Sequence, residues 1–182
     1  MAGNFLGVNL LFIGMVLIVN ALWLQGKVET KDAGVFNLIV GLLTTLTALY
    51  FGLVEKAIPL AAGGMLFAIT YLWVGINAIR GATDQRALGY YCLLVAITTV
   101  PYAVKAFQGG DLGWAFEWAT YGVLWFLFYL LFAKGRSEFS GVTVSLTFLI
   151  GAMVAVTGWA YLYGYWPFGN WWPLVSAATA AG

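Results

Sequence analysis

Charged residues fall along this chain only in short clusters. The uncharged, largely apolar stretches between them cover about 5–25, 34–54, 60–79, 87–104, 113–133 and 142–165, the fifth broken only by Glu117. An α-helix rises 1.5 Å per residue, so about twenty residues reach the ~30 Å of a bilayer's hydrocarbon core. Each stretch therefore predicts a membrane-spanning helix. The connections, such as 26–33, 55–59 and 80–86, are short, so consecutive spans run antiparallel. The expected fold is all-α, with six transmembrane helices in one compact bundle across 1–182 and no soluble module. The first stretch is expected to remain as a structural helix. A secretory signal opens on a basic segment, whereas Met1 to Gly26 carries no charge.

The first, third and fifth connections hold Lys27, Lys31, Arg80, Arg86, Lys134 and Arg136, against Lys56 and Lys105 on the other side. By the positive-inside rule this puts the odd connections in the cytoplasm and both termini outside. The run WPFGNWWP at 166–173 then falls at the outer interface, where amphipathic rings favour the headgroup level, and 177–182 is expected to fray. The tetrads VNAL at 19–22 and INAI at 76–79, each near the end of an odd span, indicate a weak repeat of helix hairpins in parallel arrangement. Small transporters and channels commonly use that design.

Composition removes other classes of function. Charged residues make up 8% of the chain and apolar ones 63%, where a soluble domain carries about a quarter charged. The net charge of +1 leaves no basic face for a nucleic acid. There is no histidine and one cysteine, Cys92, read as a small lipid- or core-facing residue. Intrachain disulfides, zinc sites, haem axial histidines, Ser/His or Cys/His catalysis and histidine-based proton sensing are all excluded on that count. No cofactor is expected.

Polar and aromatic side chains inside the spans carry the remaining information, because a stranded polar group in lipid costs about 2–7 kcal/mol. Leu10, Ile13, Leu17 and Asn20 form one stripe on the first helix, and Phe67, Tyr71 and Val74 another on the third. On the fifth, Trp114, Trp118, Tyr121 and Trp125 form an aromatic ladder with Leu124 at its edge. Such stripes are usually helix packing, with Asn and Thr bonding across neighbouring helices, and three of them together would also suit a narrow, mostly apolar passage with a few hydrogen-bonding stations. Glu117 is the one acid within a span, near the outer start of its helix. There it reads either as a headgroup-level carboxylate stabilised by the helix dipole and water, or as part of an outer vestibule.

At these positions the sequence resembles the AmiS/UreI family of urea and short-chain amide channels. The segments are LLFIGMVLIVN at 10–20, GMLFAITYLWVGIN at 64–77, VAITTVP at 95–101 and WATYGVLW at 118–125, in the same order. The resemblance implies a six-helix protomer with a pore through its own bundle, six protomers in a ring, and conduction of urea-like solutes across a bacterial inner membrane. It also implies pore-lining roles for Ile13, Leu17, Asn20, Phe67, Tyr71, Trp118, Tyr121, Leu124 and Trp125. Acid-gated members carry a long, histidine-bearing loop between helices 2 and 3, absent here, which points to an ungated channel. Members also carry a glutamate in helix 6, whereas 142–182 holds no acid. Rival readings are a proton-coupled transporter using Glu117, a non-transporting membrane subunit and, least supported, an intramembrane enzyme.

Overall fold

The computed structural model describes residues 2–167. Six long helices follow in order: α1 (Ala2–Leu24), α2 (Thr30–Leu53), α3 (Ile58–Arg80), α4 (Arg86–Gln108), α5 (Leu112–Phe132) and α6 (Ser140–Tyr163), with a 3₁₀ turn at Ser137–Phe139 before the last. All six are long and apolar enough to cross a membrane. Several helices outrun the uncharged stretches. Arg80, Arg86 and Lys105 occupy terminal turns of α3 and α4, where long basic side chains reach the interface. The aromatic run at 166–173 lies mostly, and the tail at 177–182 wholly, outside the described residues.

Local chemistry sets the ends. Glu29 caps α2 by accepting from the Lys31 and Asp32 amides at 2.7 and 3.0 Å, and Asp111 caps α5 through the Trp114 amide at 2.9 Å. Pro59 sits in the first turn of α3, where its missing amide proton costs nothing. Gly81 closes that helix in the left-handed conformation, φ 63°.

The helices close into a ring in chain order, each touching its two sequence neighbours, with α6 returning to α1. Two kinds of seam alternate around it. At α6/α1, α2/α3 and α4/α5 the backbones meet across glycine. A Cβ on Gly14 would lie 2.4 Å from the Ala155 nitrogen, one on Gly75 2.8 Å from the Gly34 carbonyl, and one on Gly89 2.6 Å from the Ala133 nitrogen. Small residues are what permit such approach between helices in lipid. At α1/α2, α3/α4 and α5/α6 the tie is made by side-chain hydrogen bonds. Asn20 and Asn37 exchange amide bonds at 3.1 and 2.6 Å, and Thr44 donates to Asn9 at 2.9 Å. Tyr91 donates to the Leu66 carbonyl at 2.9 Å, Tyr102 to the Pro59 carbonyl at 2.7 Å, and the Trp114 indole to Tyr161 at 2.6 Å. The helix-hairpin repeat is thus a threefold repetition of glycine seam and hydrogen-bonded seam.

The outer faces are apolar. Ile39, Leu42 and Leu46 of α2, Leu94, Ile97 and Val100 of α4, and Leu149 and Val156 of α6 are all exposed. A continuous hydrocarbon surface of this kind belongs to a multi-pass membrane protein.

Candidate functional site: a two-chambered axial path

The axis of the ring is where α1, α3 and α5 turn their stripes, and it is hollow. A chamber of about 240 Å³ lies toward the end where α1, α3 and α5 finish. Leu17, Asn20, Phe67, Thr70, Tyr71, Tyr121, Leu124 and Trp125 line it, with Cys92 from α4 and Thr147 from α6. A smaller chamber of about 40 Å³ lies toward the other end, lined by Asn9, Leu10, Ile13, Phe67, Trp114, Trp118 and Tyr121. A single water needs about 10–15 Å³, so both chambers hold water-sized molecules and the larger holds several. Along α1 the linings run from Leu6 to Leu24, about 27 Å at 1.5 Å per residue, close to the full thickness of the hydrocarbon layer.

Phe67 and Tyr121 belong to both linings and separate the chambers. Their rings meet edge-to-face, centroids 5.2 Å apart at 87°. Phe67 also faces Trp125 at 4.7 Å, Trp118 at 6.0 Å and Tyr71 at 6.4 Å, so five aromatic rings from two helices cluster around the junction of the chambers. All nine residues assigned from sequence are buried and line one chamber or both. Among the described residues no Asp, Glu, Lys or Arg lines either chamber.

Polar atoms are sparse along the path, and most are committed. The Trp125 indole donates to Thr70 at 3.3 Å, and Thr147 donates to the Thr143 carbonyl at 2.7 Å. Asn20, read from sequence as a station for a solute, shares its amide with Asn37. Among the fully buried side-chain polar atoms of the described residues the exception is Trp118. Its Nε1 is buried and has no hydrogen-bond partner among the described residues. A buried donor left unmatched costs about 1–3 kcal/mol, and Trp118 belongs to the lining of the smaller chamber.

Gln85, at the mouth of the larger chamber, was not picked out from sequence because it lies in a connection. It lines that chamber and accepts from Asn77 at 2.6 Å. Glu117 differs from the expectation of a carboxylate in headgroup water. It is 2% exposed and accepts hydrogen bonds from the Tyr121 and Thr157 hydroxyls. It turns away from both chambers toward a groove between α5 and α6, which Phe116, Val156, Trp159 and Trp166 also line. Among the described residues no group of three or more His, Cys, Asp or Glu could hold a metal ion.

Residues 5–165 match the profile of the AmiS/UreI family transporters. The chain belongs to that family. This AmiS/UreI member is 33% identical over 180 residues to a Mycolicibacterium smegmatis protein named for the transport of amidate substrates, covering 96% of this chain and 83% of that one. It is 34% identical over 153 residues to the acid-activated urea channel of Helicobacter pylori, covering 66% and 78%. Its fold superposes on the crystal structure of the Helicobacter pylori urea channel with a TM-score of 0.75 at 30% identity, over 89% of this chain and 99% of that one. It also superposes on the cryo-electron-microscopy structure of that channel in a closed state, with a TM-score of 0.77 at 28% identity. These relatives are transporters and channels.

Proposed function

We propose that this chain is a passive, ungated channel for urea and short-chain aliphatic amides, with one pore through each protomer. Six protomers would form a ring in a bacterial inner membrane, with the basic connections in the cytoplasm. The observation that carries the reading is the pair of uncharged chambers in line, meeting at Phe67 and Tyr121. The named activities of the urea-channel and amidate-transporter relatives supply the class of solute.

Urea and acetamide are small, planar and neutral, with amide donors and one carbonyl acceptor. On this reading such a solute enters the smaller chamber and accepts a bond from the free Trp118 indole N–H. It then passes the level of Phe67 and Tyr121, whose rings touch at rest and must part to admit it, and reaches the larger chamber beside Tyr71. Each hydrogen bond gained replaces one to water at a net of only about 1 kcal/mol, so the solute leaves as readily as it arrives. An ion finds no countercharge along the lining and would have to shed its hydration uncompensated. The ungated part rests on the α2–α3 connection, only Val54 to Ala57, and on the absence of histidine from the whole sequence.

The test is purified protein in liposomes, with stopped-flow light scattering after a urea or acetamide gradient. Permeability above that of empty vesicles at neutral pH is expected. Vesicles no leakier than controls would end the channel reading, and flux confined to acid would end its ungated part. The buried carboxylate of Glu117 favours one second reading, a proton-coupled transporter. That mechanism requires uphill accumulation of solute driven by a proton gradient, which a passive pore cannot produce.

A further inference from the structure

We infer that Glu117 is a positioning residue that sets the width of the path by holding the Tyr121 ring against Phe67, with Thr157 as its anchor on α6. The inference rests on the channel reading above and assigns the acid a role that requires neither proton transfer nor contact with solute. Glu117 and Tyr121 are four residues apart on α5 and so share a face. One carboxylate oxygen of Glu117 accepts from the Tyr121 hydroxyl and the other from the Thr157 hydroxyl. Thr157 also lies 3.1 Å from the Met153 carbonyl in its own helix, which ties it to the α6 backbone. Burying a carboxylate among apolar helices is tolerated only when hydrogen-bond partners replace water, and here both partners are hydroxyls that the carboxylate holds in place.

The consequence falls on the path. Tyr121 is 1% exposed and shared by both chambers, with its ring edge-on to Phe67 at 5.2 Å, Trp118 at 5.7 Å and Trp125 at 6.2 Å. Because its hydroxyl is committed to Glu117, Tyr121 presents a passing solute with ring carbon only. Without the carboxylate the ring is free to swing, and a hydroxyl becomes available to the chambers. Both changes weaken discrimination by size.

The experiment compares permeability to urea with permeability to butyramide in liposomes containing wild-type protein, Glu117→Leu, Glu117→Gln, Tyr121→Phe and the double variant Glu117→Leu/Tyr121→Phe. Glu117→Leu and Tyr121→Phe are each expected to lower the urea-to-butyramide ratio about two- to tenfold, the change that one lost hydrogen bond produces. The double variant should fall no further than either single one, because both break the same link. Glu117→Gln keeps an acceptor for Tyr121 and should recover part of the ratio. It also serves as the folded variant if Glu117→Leu does not assemble. An unchanged ratio in Glu117→Gln and Tyr121→Phe, or strictly additive losses, would overturn the inference while leaving the channel in place. Wild-type vesicles without flux would overturn the channel reading and this inference with it.

Discussion

Phe67→Ala is the sharpest test of where the path is narrowest. The ring is one of two side chains common to both chambers, and it faces four aromatic partners with centroids between 4.7 and 6.4 Å. Each such pairing contributes about 0.5–1.5 kcal/mol beyond area burial, and Phe→Ala in a packed interior costs about 3–5 kcal/mol. The variant should therefore melt earlier in detergent. Its transport signature is the more telling readout. A wall that senses one methylene discriminates by about 1–3 kcal/mol, a factor of roughly 10–200. Removing the ring joins a chamber of about 40 Å³ to one of about 240 Å³ and forfeits that discrimination. In stopped-flow light scattering, butyramide permeability should rise at least about tenfold relative to urea, while Phe67→Leu, closer in volume, should change the ratio less. Equal ratios in wild type and both variants would show that Phe67 is packing and that the selective point lies elsewhere.

Three further outcomes are expected. Trp118→Phe removes the one unpartnered buried indole N–H among the described residues. It should leave thermal stability equal or higher and lower urea flux several-fold; undiminished flux would deny Trp118 a part in solute binding. Gly14→Ala would set a methyl 2.4 to 2.7 Å from backbone atoms of Ala155 and Gly151, forcing α1 from α6 at about 1–3 kcal/mol. Gly141→Ala meets nothing within 4 Å and should be neutral or stabilising, so equal melting of these two glycine variants would refute the glycine-seam account. At the exposed α3–α4 connection, Arg86 bonds hold the Asp84 carboxyl at about 2, below its ordinary 3.8. A carboxyl depressed by folding adds stability above its unfolded value and loses it as pH falls toward the folded one. Wild type and Arg86→Gln should therefore differ slightly in melting temperature at neutral pH and converge between 3.8 and 2; parallel profiles through that window would sink the pairing.

The helices were legible because charge is so scarce that each cluster marks a crossing of the interface. Ile13, Leu17, Phe67, Tyr71, Trp118, Tyr121, Leu124 and Trp125 were legible as stripes because helical spacing alone puts them on one face. What such spacing cannot give is the partner across a seam. Asn20 reads either as glue between helices or as a station for a solute, and only Asn37 brought against it names the partner. Glu117 reads as a surface acid because it starts a helix, and its anchor Thr157 is forty residues away. The same limit hid the seams themselves. Gly7 and Gly14 repeat the seven-residue interval of Gly151 and Gly158, and only the ring reveals that the two pairs face each other.

The return of α6 to α1 also bears on biogenesis. The tightest seams join α1 to α6, α2 to α3 and α4 to α5, so α1 must wait until α6 has been made before it meets its closest neighbour. Until then its glycine face at Gly7 and Gly14 stands open to lipid or to a chaperone, and the axial space is a cleft with one side missing. Translation arrested before α6 should leave a fragment of α1 to α5 that inserts yet remains accessible to protease and holds no osmotic seal, with closure of the six-helix ring as the event that commits the protomer to its fold.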